Sequence, residues 1–139
     1  SAMLPAPPQR TIARQAGVQL SYVGTGHVVG TAAYLAPEYL KGGAVDHRGD
    51  LYSLGVMFYE MLTGRKPYEG ENPVRVLDMH IHAPVPQLPP QFRWAQPLID
   101  RTMAKDPERR YQSAADLIAG VLAAVGALQQ SELTATRVA

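Results

Sequence analysis

The chain has 139 residues, 46% hydrophobic, 18% charged and 7% aromatic, a composition that excludes wholesale disorder and fits one globular domain of ordinary size. Thirteen basic and twelve acidic residues leave a formal charge of +1, too weak a field to make nucleic acid or an anionic membrane the default partner. Cysteine is absent, which excludes a disulfide framework, a Cys-ligated zinc site and a thiol nucleophile, and fits a cytoplasmic setting.

Residues 1–3 read as an expression scar and start, and Ser1 to Pro5 lack the charged and apolar regions of a signal peptide. No run of about 18 apolar residues is present to span a bilayer, so no membrane contact is expected within this segment. Residues 4 to about 29 read as a long loop punctuated by Pro5, Pro7, Pro8, Gly17, Gly24 and Gly26, with a short strand expected over residues 18–23. A loop this long inside a compact domain is usually functional.

Asp50 to Thr63 is apolar almost all the way round, with Asp50, Ser53, Glu60 and two tyrosine hydroxyls as its polar marks. That pattern predicts a central helix, with Met57, Tyr59 and Met61 in the core and Gly64 as a left-handed stop. Asn72-Pro73 predicts a second helix to about His82, with Val74, Leu77 and Ile81 on its apolar stripe. Residues 84–90 form a proline-rich connector. Helical spacing resumes over residues 92–104, and Asp106-Pro107 breaks it. Ser113 with Asp116 resembles a capping box for a last helix. Its expected inner face is Leu117, Val121, Leu122, Val125 and Leu128, followed by a frayed tail over 130–139. His80 and His82 stand two apart, on different helical faces, so no metal site is expected.

Four segments in order carry a resemblance. They are G-T-A-A-Y-L-A-P-E from Gly30 to Glu38, D-L-Y-S-L-G from Asp50 to Gly55, M-L-T-G-R-K-P-Y from Met61 to Tyr68, and A-K-D-P-E-R-R-Y from Ala104 to Tyr111. Together they resemble the C-terminal half of a eukaryotic-like protein kinase domain of the Ser/Thr, bacterial type, whose activation segment closes on A-P-E. The resemblance implies a mainly α fold: C-lobe helices behind a long N-terminal activation loop, with no N-lobe sheet. Residues 4–38 would be the activation segment and residues 39–129 the helical subdomain.

It also implies roles for particular residues. Thr31 stands where the family's hydroxyl contacts the catalytic-loop Asp and Lys; read by itself it is a turn hydroxyl. Leu35 and the Gly30 to Tyr34 backbone would shape the pocket for the substrate residue just after the phospho-acceptor, and Ala36 and Pro37 belong with them to the substrate-positioning end of the activation segment. Glu38 and Arg110 match a buried ion pair that ties the segment to the lobe. Asp50 matches the residue that holds the catalytic-loop backbone, and read by itself is a helix N-cap. Thr25, with Thr11 and Ser21 behind it, is a candidate phosphorylation site; its bland reading is an exposed loop threonine.

The parts that handle the transferred phosphoryl group are not in the chain. There is no Gly-rich loop, V-A-I-K lysine, H-R-D loop or D-F-G aspartate, and His47-Arg48 is followed by Gly49 downstream of A-P-E. The expectation is therefore a C-lobe fragment with no catalytic residue and no bound cofactor. Its parent would use ATP and Mg to phosphorylate protein Ser or Thr. Apolar helix surface left open should drive self-association or element swapping. The alternative is a stand-alone kinase-like or pseudokinase module that binds a protein partner.

Overall fold

The computed structural model describes residues 32–138, and every regular element among them is helical. In chain order these are α1 (Pro37–Lys41), α2 (His47–Thr63), α3 (Pro73–His82), a 3-10 turn (Pro90–Ala95), α4 (Gln96–Thr102), a second 3-10 turn (Pro107–Arg109) and α5 (Ala114–Val138). The loop and strand expected over residues 4–29 lie outside the described residues.

Helix α2 is the hub. Its N-cap is Asp46, whose carboxylate accepts from the Arg48 N–H at 2.9 Å. Asp50 is thereby corrected as a cap: it lies one turn inside the helix, on the exposed side. Gly64, at φ 73°, closes the other end and donates its N–H to the Glu60 carbonyl at 2.7 Å. The inner side of α2 buries Leu51, Tyr52 and Val56, and Gly55 lets α4 approach closely.

Two methionines expected in the core are not there. Met57 is 47% and Met61 78% exposed, and with Leu54 they form a stripe that no described element covers. The i, i+3, i+7 spacing places all three on one side of α2, opposite the side packed on α1 and α3. Beside them Phe58, Leu98, Leu117 and Val121 complete an apolar groove of about 220 Å³.

In α3 the Asn72 side chain accepts from the Arg75 N–H at 2.9 Å, and Pro73 occupies the first turn. The buried stripe is Val76 and His80, while Val74 is 64% exposed, which corrects the expected face. The element expected over 92–104 is split. A 3-10 turn carries Trp94, and Pro97, which has no N–H to continue a ladder, sits in the first turn of α4. The Gln96 side chain pins the proline connector, accepting from the Leu88 N–H at 2.7 Å and donating to the Pro86 carbonyl at 3.2 Å.

Helix α5 starts at the expected cap, with Ser113 Oγ accepting from the Asp116 N–H at 3.1 Å. Of its expected inner face, Leu117 packs on the Leu51, Leu98 and Tyr111 cluster, whereas Val121, Leu122 and Val125 are exposed. Small residues face the body: the Tyr111 ring lies against Gly120, and Ala124 is buried, whereas Leu122 is 67% exposed. The helix also runs to Val138 with no break at 130, because residues 127–138 contain no Gly or Pro to stop it. Within Ala114–Thr136 an 18-residue window reaches a mean hydropathy of 1.3, so by length and composition alone the helix is long and apolar enough to cross a membrane. Counting uninterrupted apolar residues misses this.

The α2–α4 contact is tight enough to test. A Cβ at Gly55 would lie 2.7 Å from the Thr102 Cβ and closer still to its hydroxyl, which donates to the Leu98 carbonyl at 2.7 Å and is thereby fixed. Gly55→Ala should destabilise the chain by about 1–3 kcal/mol through overpacking. Gly126→Ala, which meets nothing within 4 Å, should stabilise it by up to about 1 kcal/mol through helix propensity. Thermal unfolding midpoints that move together in both variants would contradict this packing.

Candidate functional site

The site is the strip from Ala32 to Glu38, laid across α2 and clamped from below. Ala32, Ala33, Leu35 and Ala36 are buried, and the Leu35 N–H donates to the Ala32 carbonyl at 3.3 Å. Tyr34 bridges to α2 at two points. Its hydroxyl donates to the Glu60 carboxylate, and its carbonyl accepts from Ser53 Oγ at 2.6 Å. The Glu60 hydrogen bond, followed by burial, raises the Tyr34 phenol pKa, so the phenol remains a donor. Pro37 and Glu38 then open α1, where Pro37 needs no N–H partner in the first turn.

Glu38 meets Arg110 in the interior. The guanidinium makes a bidentate pair with the carboxylate at 2.6 and 2.7 Å. Its remaining donors go to the carbonyls of Ala104 at 2.7 Å, Arg48 at 3.1 Å and Lys105 at 3.2 Å. All five N–H groups of the guanidinium are thus used. The group also sits 4.9 Å from the Tyr52 ring centroid. A charge buried this deeply is tolerated only when paired and fully hydrogen-bonded.

Next to this clamp lies a second polar cluster. The Tyr52 hydroxyl is 2.6 Å from His80 Nδ1, and the rings of Tyr52 and Tyr68 both meet the imidazole edge-on. Lys105 Nζ donates to the His80 carbonyl at 2.8 Å and to the Tyr68 hydroxyl at 3.0 Å. The Tyr68 hydroxyl donates onward to the Pro84 carbonyl at 2.9 Å. Burial, with the charge of Lys105, pushes the His80 pKa down to about 4. Burial, followed by the charges of Arg110 and Lys41, pushes Lys105 down to about 8. At neutral pH the imidazole is therefore uncharged. A third network at the surface joins Arg48 to Asp46 and Glu108, each at 2.9 Å; exposed pairs of this kind contribute little to stability.

The residues singled out from sequence fall into three groups. Tyr34, Leu35, Ala36, Pro37, Glu38 and Arg110 come together in one strip and its clamp. Asp50 stands apart from it, exposed on α2. Gly30, Thr31, Thr25, Thr11 and Ser21 lie outside the described residues. Sequence reasoning passed over Ser53 and Glu60 as sites, although both are polar marks on an otherwise apolar helix. It also passed over Tyr52, His80 and Lys105, which have no signal beyond lying in or near the motifs. What these groups do together is position backbone: they hold the Ala32–Glu38 strip against α2 and the loop that carries Arg110.

An A-P-E strip clamped over a central helix, within an all-helical body, defines the C-terminal lobe of a protein kinase. The sequence pattern of the protein kinase domain matches residues 12–122, and the chain belongs to that family. It is 40% identical over 117 residues to serine/threonine-protein kinase PknB of Mycobacterium leprae, covering 80% of this chain and 18% of that protein. It is 42% identical over 104 residues to PknB of Mycolicibacterium smegmatis, covering 70% and 16%. It is also 42% identical over 100 residues to a probable serine/threonine-protein kinase of Streptomyces coelicolor, covering 67% and 14%. The chain thus spans less than a fifth of the length of these curated relatives.

Removing one partner of the clamp strands the other charge in the interior. Glu38→Ala should cost about 3–5 kcal/mol, and the double variant Glu38→Leu/Arg110→Leu should recover a large part of that loss. Urea unfolding curves measure both. Equal losses in the single and double variants would show that the penalty does not come from an unpaired charge.

Proposed function

We propose that this chain is part of the C-terminal lobe of a Ser/Thr protein kinase and supplies its peptide-docking strip and activation segment. The observation that carries the reading is the Ala32–Glu38 strip, tied to α2 through Tyr34 and to Arg110 through Glu38. The similarity to bacterial serine/threonine-protein kinases supports it. The complete protein would transfer the ATP γ-phosphate, with Mg, to a protein Ser or Thr. On this reading Thr31 contacts the catalytic loop, Gly30 to Pro37 shape the acceptor pocket, and Asp50 holds the catalytic-loop backbone. Thr25 is then the first candidate for a regulatory phosphate, ahead of Thr11 and Ser21, and the kinase body works in the cytoplasm, where ATP is at hand.

This chain alone carries no catalytic residue and binds no nucleotide, because the H-R-D, D-F-G and Gly-rich segments are absent from its sequence. Mg-ATP should leave its unfolding temperature unchanged. The complete reading frame should incorporate phosphate into a Ser/Thr peptide library, with phosphate also on a residue between 11 and 31. A saturable Mg-ATP shift in the chain alone would overturn the first statement. A complete protein inert toward all peptides would favour the pseudokinase or interaction-module reading.

The apolar groove between α2 and α5 supports one further statement. With Leu54, Met57 and Met61 uncovered, the isolated chain is proposed to self-associate through that face. Light scattering should give a mass above that of one copy, and Met57→Glu/Met61→Glu should return it to one. A single-copy mass for the unaltered chain at high concentration would refute self-association.

A further inference from the structure

His80 is wholly buried, yet its Nε2 has no hydrogen-bond partner among the described residues. Buried side-chain nitrogens are nearly always partnered, so an orphan in a cluster this well connected calls for a reason. The neighbouring groups define which nitrogen carries the proton. His80 Nδ1 is the one acceptor that the Tyr52 hydroxyl meets among the described residues, so the phenol donates to Nδ1 at 2.6 Å. The ring proton of neutral His80 then sits on Nε2. The two tyrosine rings and the Lys105 ammonium on the His80 carbonyl fix the ring in place. The backbone group that favours a proton on this ring is that of Ala33, in the middle of the docking strip.

We propose that His80 is a positioning residue for the peptide-docking strip: its buried Nε2–H, which has no other partner among the described residues, takes the Ala33 carbonyl as acceptor and ties the strip to α3. The inference rests on the docking-strip reading given above. It makes α3 the second anchor of the strip, beside the Glu38–Arg110 clamp. It also makes the strip sensitive to acid. The groups facing His80 are Tyr52 from α2, Tyr68 from the loop after α2, and Lys105 from the loop after α4. Arg110 and Glu38 lie behind the Tyr52 ring. With a folded pKa near 4, below the ordinary 6.5, stability is full above 6.5. It falls as the unfolded chain takes up the proton and levels off below about 4, where the native ring also charges.

The tests use two variants and one measurement on the unaltered protein. In this chain at neutral pH, His80→Phe should speed amide exchange of residues 32–36 by about tenfold relative to α4, and His80→Gln, which keeps a neutral donor, should restore most of the protection. In the complete kinase His80→Phe should raise KM for peptide by about tenfold with kcat within about twofold, again with rescue by Gln. Nitrogen-15 NMR of the unaltered chain should report the Nε2–H tautomer, which keeps the proposal testable if His80→Phe fails to fold. The Nδ1–H tautomer, unchanged exchange at residues 32–36, or an unchanged KM would each overturn it. An unaltered kinase with no activity at all would instead fail the functional reading, and exchange and tautomer would still decide the role of His80.

Discussion

The Glu38–Arg110 ion pair is the constraint on which the rest of this lobe depends. It joins the first turn of the five-residue helix α1 to a loop near the far end of the chain. Helix α1 is too short to be stable on its own propensity, since isolated helices below about 12 residues are marginal even in favourable sequences. Its N-cap position is Ala36, which offers no side-chain acceptor, so Arg110 and the packing of Tyr39 supply the anchoring that local sequence does not. Because the same guanidinium binds the carbonyls of Arg48, Ala104 and Lys105, one residue gathers the start of α2, the loop after α4 and the Ala32–Glu38 strip.

Around that pair, α2 acts as a two-sided beam. One side carries the polar attachments of the strip, Ser53 and Glu60, and the buried Tyr52 that leads to His80. The other side, Leu54, Met57 and Met61, is apolar and open. This asymmetry explains why the helix looks uniformly hydrophobic in sequence but is not uniformly buried. Its composition suits a helix enclosed on all sides, and the described residues enclose about half of it.

The elements with strong local signals could be read from sequence. Asn72-Pro73, Ser113 and Gly64 are chemical punctuation, and the helices beginning or ending there do so where the caps place them. The order of the four motifs likewise carried the family, the strip and its ion pair. What sequence did not yield was rotational setting. Helix α3 turns Val76 and His80 inward rather than Val74, because Tyr52 and Tyr68 offer the His80 ring partners that no aliphatic side chain could use. Helix α5 packs through Leu117, Gly120 and Ala124 rather than Leu122 and Val125, because the Tyr111 ring needs the space at Gly120. The cap of α2 fell to Asp46 rather than Asp50 since both are plausible acceptors and only the extended backbone at Asp46 selects it. Each miss is a case where long-range packing decides between locally equivalent choices.

The ion pair also has a bearing on how the lobe is made. Glu38 and Arg110 are 72 positions apart, so the contact closes a large loop and bears its entropy before any reward is returned. On a ribosome the strip and α1 emerge long before Arg110 does. Helices α2 and α3 can form from their own caps in that interval, but Glu38 has no counter-charge to settle on. The ordering of the strip thus comes late in synthesis, and a chain stopped short of Arg110 would carry a helical body with an unset Ala32–Glu38 strip. Arg110 is in this sense a completion mark: the Ala32–Glu38 strip takes its shape only once the lobe beneath it has been translated almost to its last helix.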